Sequence, residues 1–232
     1  MTPRLACSVL AAVLLAGCEV VPSASWQIVN RTFDSAPSAT QSQARPDARF
    51  EYLQLDRGAS SLRLVLGYRS LLPLTAQGRI APIQEHWYSG DRELLVLRDG
   101  RLEQALGMAI EWRSSQAPAQ PDWDALLASP RPLQWQRRRD EMPGYRYGLV
   151  DEIESRRVDP TSAAIPAVSG LGEGLVWVQE DVRSPLADGR IWQHRQWFAL
   201  AREGERWRVR WSRQCLAPDW CLDLKTLDRA PS

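Results

Sequence analysis

The sequence predicts a mainly β protein, an antiparallel β-sandwich or half-open barrel with a few short helices. Three observations lead there. From residue 50 onward, apolar and polar residues alternate over short runs, the period of half-buried strands. Four glycine-containing hairpin signals separate those runs: Gly90-Asp91, Asp99-Gly100, Asp188-Gly189 and Glu203-Gly204. A length of 232 residues with 44% hydrophobic and 25% charged content suits one domain with a buried core, and excludes a disordered or collagen-like chain.

The first residues stand apart from that body. Arg4 supplies a positive n-region, and residues 5–16 form an apolar run of secretory-signal length, too short for the roughly twenty residues a bilayer span needs. Leu15-Ala16-Gly17-Cys18 then resembles the lipobox of bacterial lipoproteins, whose cysteine is acylated and becomes the new N-terminus. Cys18 is the expected lipid attachment site, and residues 1–17 the signal peptide. By resemblance to lipoprotein sorting signals, Glu19 rather than Asp after the cysteine points to the outer membrane, with the body on its periplasmic face. Several acyl chains on one cysteine anchor stably without a transmembrane segment. Cleavage removes one arginine and no acid, so the formal charge of +1 falls to zero and no bulk attraction to nucleic acid is expected. Residues 18–49, rich in Ser, Ala, Pro, Gln and Thr, read as the lipidated cysteine and a flexible tether, with 26–33 a short docking element. Residues 50–232 form the β domain.

Within that domain, residues 62–68 are a buried strand run. Residues 85–89 and 93–98 flank the Gly90-Asp91 turn, and Asp99-Gly100 opens a further hairpin into 101–106. Asp122 caps a short helix that ends before Pro130. Residues 132–139 and 145–156 are strands joined by Met142-Pro143-Gly144, and 159–174 is a Pro-, Gly- and Ser-rich loop. Residues 175–183, 190–202 and 205–214 are three more strands, with 221–227 closing the chain.

These residues carry a family resemblance. The segment from Tyr52 to Tyr68, Trp87-Tyr-Ser-Gly-Asp91, Leu95-Val-Leu-Arg-Asp-Gly-Arg-Leu102 and Gly107-Met108 resemble the YjbF/GfcB family of group 4 capsule and exopolysaccharide lipoproteins. Trp211-Ser-Arg-Gln214, Pro218 and Leu222-Asp-Leu-Lys225 match its closing pattern. Departures are Ala105, where the family tends to have Thr, and the Cys215 and Cys221 pair, which the pattern does not require. The resemblance implies a non-enzymatic, periplasm-facing accessory in polysaccharide assembly or export, partnered by other export components. It brings no catalytic residues to carry over.

A search for chemistry agrees. There is no Gly-x-Ser-x-Gly elbow, Walker A loop or His-Glu-x-x-His, and no cofactor is expected. Gly170-Leu-Gly-Glu-Gly174 lacks the spacing and preceding strand of a phosphate loop and reads as a connector. His86 and His194 have no partner at metal spacing, so no metal site is expected. Asp151-Glu-x-Glu154 offers a glycosidase-like pair of acids, but alternating carboxylates read first as a strand's solvated face. Arg137-Arg138-Arg139 is a basic spot blunted by Asp140 and Glu141.

Residues 206–213 are more pointed. A period of two puts Trp207, Val209 and Trp211 on one face and Arg206, Arg208 and Arg210 on the other. Arginine forks suit carboxylates, so this ladder is the candidate contact for an acidic polysaccharide or a partner; pairing with acids on a neighbouring strand is the competing account. Most of the 11 Trp are expected in the core. Three classes therefore stay open: accessory lipoprotein, carbohydrate-binding module, and polysaccharide hydrolase or lyase. Finally, Cys7 leaves with the signal and Cys18 is acylated. Cys215 and Cys221 are then the thiols left in an oxidising compartment, expected to pair across a Pro218-Asp219 turn.

Overall fold

The computed structural model describes residues 47–73, 81–159, 161, 165–168 and 170–227. Cys18 and the 26–33 element lie outside them. Twelve strands follow in order: β1 (Tyr52–Arg57), β2 (Ser60–Leu71), β3 (Ile83–Tyr88), β4 (Leu94–Arg98), β5 (Arg101–Leu106) and β6 (Glu111–Gln116). After the helix α1 (Trp123–Ala128) come β7 (Leu133–Met142), β8 (Arg146–Val158), β9 (Val176–Pro185), β10 (Ile191–Glu203), β11 (Arg206–Ala217) and β12 (Trp220–Leu227).

Each strand pairs antiparallel with its sequence neighbours, and β1 also pairs with β12, so the sheet is a closed barrel rather than a sandwich or half-open barrel. Leu55 faces Leu62 on one side and Leu224 on the other. Closure satisfies the last two rows of backbone donors and acceptors, which an open sheet would leave as edges. Among the described residues α1 is the one helix where a few were expected. Asp122 accepts a hydrogen bond from the Ala125 N–H at 2.7 Å, and Pro130 bars continuation. The sequence does not flag β6, because Trp112 is its one large apolar residue and a register shift between Trp112 and Ser114 breaks the alternation.

Connections alternate between two ends of the barrel. At the helix end lie the close of β2 and the start of β3, the Asp99-Gly100 turn, the segment carrying α1, the close of β8 and the start of β9, and the turn before Arg206. At the disulfide end lie the remaining turns, including the one that joins β11 to β12. There Cys215 and Cys221 are cross-strand partners joined by a disulfide, their Cα atoms 3.9 Å apart, closer than the 4.4 to 6.8 Å usual for a bridge.

The barrel is filled in two chemically different halves. Leu64, Trp87, Leu95, Leu102, Leu216 and Leu222 pack the first, each contributing on the order of 1.5–3 kcal/mol by burial. The β4–β5 turn is pressed across the lumen against β11, where a Cβ on Gly100 would lie 2.4 Å from Val209 Cγ2. At the helix end α1 inserts Trp123 and Leu126 against Val178, Phe198 and Leu200. The second half, under β7 to β10, mixes a small apolar cluster of Ala117, Trp135, Ile153 and Val182 with buried charged side chains, and positions the groups described next.

Candidate functional site

The expected arginine ladder does not form a bare cationic face. Arg206 donates from Nη1 to the Ala81 carbonyl at 2.8 Å. Arg208 pairs with Glu51 and Glu85, each at 3.4 Å, and with Glu203 at 3.7 Å, while Arg210 pairs with Glu203 at 3.3 Å. Arg69 also joins Glu51 and Glu85, so the acids here are already shared. Nor do the three apolar residues share one face. Pairing shifts between Ala199 and Leu200, so that Ala199 faces Trp211 and Leu200 faces Val209, leaving Arg210 as the extra residue of a bulge. Trp207 and Val209 therefore pack with Phe198 and Leu200, whereas Trp211 packs with Trp177, Trp197 and Ala199 in a separate cluster covered by Ile165, Val168, Leu171 and Leu175. Arg206 and Arg208 do line a small cavity of about 120 Å³ with Leu53, Leu97, Asp99 and Leu224. Burial raises the Asp99 carboxyl above its ordinary pKa even though it accepts the Ile83 N–H.

The acids at 151–154 are split rather than clustered on a solvated face. Asp151 is fully buried, while Glu152 and Glu154 point outward, as the pleat requires of alternate residues. The same correction applies to the basic spot: Arg137 and Arg139 are buried and Arg138 alone is exposed. Asp151 accepts from Arg137 Nη2 at 2.8 Å, Arg139 Nε at 3.0 Å and Ser184 Oγ at 2.7 Å. Burial pushes its pKa up, but the Arg137 and Arg139 guanidiniums outweigh this and hold it below the ordinary carboxylate range. Arg139 and Arg146 then share Glu141. A second buried pair, Arg101 with Glu180 at 2.9 Å, ties β5 to β9 across the lumen and stacks Arg101 3.5 Å from the Trp123 ring centroid. Sequence reasoning missed both networks. The signal was present as arginines on the inward parity of β7 beside Trp135.

His194 is also inward, in register with Val182, and stacks on Trp192. Burial, then the nearby Arg137, pushes its pKa down to about 3, so it is neutral at ordinary pH. His86 stacks on Tyr68. Among the described residues no group of three or more His, Cys, Asp or Glu is placed to hold a metal. Gly170 to Gly174 lead into β9, a strand, so no helix N-terminus stands behind them to cradle a phosphate.

A broad concavity lies on the outside. A groove of about 960 Å³ lies along the outer face of β7 to β10. Two cross-strand rows form it: Gln134, Glu154, Asp181 and Arg195, then Gln136, Glu152, Arg183 and Gln193. Asp181 pairs with Arg156 at 2.8 Å and Arg195 at 3.1 Å, and Glu152 with Arg183 at 3.3 Å. This charged face is not the apolar band of a membrane-spanning barrel.

The comparisons with known proteins fall on this same body. The chain is similar in structure to the hypothetical lipoprotein YmcC from Escherichia coli (K12), with a TM-score of 0.58 and 20% identity over 89% of this chain and 96% of that one, a likeness of fold. No curated protein matches the sequence. The family model for the group 4 capsule polysaccharide lipoprotein GfcB, YjbF, matches residues 26–227, which takes in all twelve strands. The chain belongs to the YjbF family of group 4 capsule polysaccharide lipoproteins.

Proposed function

We propose that this chain is an outer-membrane-anchored lipoprotein, facing the periplasm, that serves capsule or exopolysaccharide assembly or export by contact with other export components rather than by catalysis. The family match over residues 26–227 carries the reading. The Leu15 to Cys18 box supplies the anchor. The splitting of the acids supports the absence of a catalytic role. Asp151 is held ionised by two guanidiniums inside the barrel and so does not flank a common bond with the outer acids, while Glu152 and Glu154, which share the outer face, are each paired with an arginine, Arg183 and Arg156.

Cys18→Ala, expressed in capsule-forming cells, tests the anchor and the role together. The expected result is an unprocessed or soluble protein and a loss of surface polysaccharide. Normal outer-membrane fractionation with normal capsule would refute it. Cleavage of purified exopolysaccharide by the wild-type protein, abolished by Glu154→Gln, would refute the non-catalytic part.

A further inference from the structure

We propose that the outer groove of β7 to β10 is a binding track for an uncharged, hydroxyl-rich glycan segment. For the source of that glycan this rests on the reading above; for the site it rests on the groove itself. The groove spans four strands, roughly 14 Å at the usual strand spacing, and its two rows stand roughly 7 Å apart. At that spacing it alternates amides, carboxylates and guanidiniums, so donors and acceptors sit side by side. A sugar hydroxyl is both donor and acceptor, and adjacent hydroxyls on one ring are met by planar groups of this kind. Gln136, Gln193, Arg183 and Arg195 are exposed along it. Arg183 and Arg195 meet their acids through Nε, and their side chains remain 56% and 58% exposed.

Charge selects among occupants. Glu152, Glu154 and Asp181 are balanced by Arg156, Arg183 and Arg195, so the groove offers no net positive field to a polyuronate or nucleic acid. Shape excludes another class. A peptide added as an extra strand needs an unpaired sheet edge, and along the middle of the groove Glu152, Glu154, Asp181 and Arg183 are paired with a strand on both sides. At the disulfide end of the same strands, Val150 and Ile191 are exposed, and Tyr147 is 64% exposed, giving an apolar and aromatic rim against which the C–H face of a sugar ring packs. The floor is also rigid. The inward residues of these same strands are locked by the Arg137–Asp151–Ser184 and Arg101–Glu180 contacts, so the outer rows are held in register before any ligand arrives.

The test uses the full mature lipoprotein in detergent on an array of neutral, uronate-bearing and phosphate-bearing oligosaccharides, with affinities then taken for the ones bound. The proposal expects binding of neutral glycans, unchanged between about 0.1 M and about 1 M salt. It expects Gln136→Ala/Gln193→Ala, at exposed positions that leave the fold intact, to weaken that binding about tenfold or more. No neutral glycan bound, binding confined to salt-sensitive acidic glycans, or full affinity in the double variant would each overturn it. So would a double variant that keeps wild-type glycan affinity but no longer co-purifies an export protein, since the face would then belong to a protein partner. Failure of the accessory reading appears separately, as unaltered surface polysaccharide in cells carrying Cys18→Ala.

Discussion

Replacing Asp151 by Ala strikes the point where the interior of the barrel is most charged. Asp151 is 0% exposed and neutralises Arg137 and Arg139, themselves 3% and 2% exposed. With Asp151 removed, Glu141 is the remaining acid in direct contact with this pair, and it already serves Arg146. Removing one member of a buried ion pair leaves an uncompensated charge and costs about 3–5 kcal/mol, a large part of the roughly 5–15 kcal/mol that holds a domain together. Removing a matching cation as well should return most of that. In Asp151→Ala/Arg137→Met a long apolar chain fills the arginine's path beside Trp112, whose ring centroid lies 4.3 Å from the Arg137 guanidinium carbon. Urea denaturation of the mature protein and the two variants reads the difference. A single variant within about 1 kcal/mol of wild type, or a double variant no more stable than the single, would refute the claim that these charges are buried and mutually dependent.

Three further outcomes follow from the structure. With the His194 pKa pushed to about 3 against an ordinary 6.5, the unfolded chain binds the extra proton between those values, so stability falls as pH drops. Between pH 6.5 and 5 the loss is about 1.6 kcal/mol, and His194→Gln should remove most of it, with a residual slope from His86, which burial also lowers; equal slopes in variant and wild type would contradict this. Gly100→Ala and Gly189→Ala both force alanine into positive φ, but a Cβ at 100 also meets Val209 while one at 189 meets nothing within 4 Å. Thermal melts should show Gly100→Ala as the more destabilised, by more than about 1 kcal/mol, with Val209→Ala relieving the excess. Cys215→Ser/Cys221→Ser should cost on the order of 2 kcal/mol, since the bridge closes a short loop. Intact mass after alkylation without reductant checks the bond: labelling at both cysteines of the wild type would mean it is not formed.

How much of this was legible in sequence depended on how local the determining interactions are. The hairpins at Asp99-Gly100 and Asp188-Gly189, the Asp122 cap and most strand spans follow from residues a few positions apart, where turn chemistry and period-two alternation act directly. The Cys215 to Cys221 pairing belongs with them, since one short turn brings the partners opposite each other. The arginines of 206–210 were visible as a ladder, but their fate was not. Glu51 and Glu85 reach Arg208 from sequence separations of 157 and 123 residues.

What only the tertiary structure decided shares that feature. Pairing of β1 with β12 turns an open sheet into a closed barrel, and no local pattern announces a partner at the far end of the chain. The bulge at Arg210 moves Trp211 to the opposite face from Val209, because one extra residue reverses the parity of everything beyond it. Charged residues on the inward parity of β7 and β8 look like solvated positions until the facing strand supplies counter-charges: Arg137, Arg139 and Asp151 satisfy one another, and Glu180 finds Arg101 from a strand 79 residues away. Sequence by itself determined the β class, the turns and the family. The closure, the buried ion pairs of the lumen and the outer groove were set by long-range pairing, whose free energy is gained only when distant strands meet.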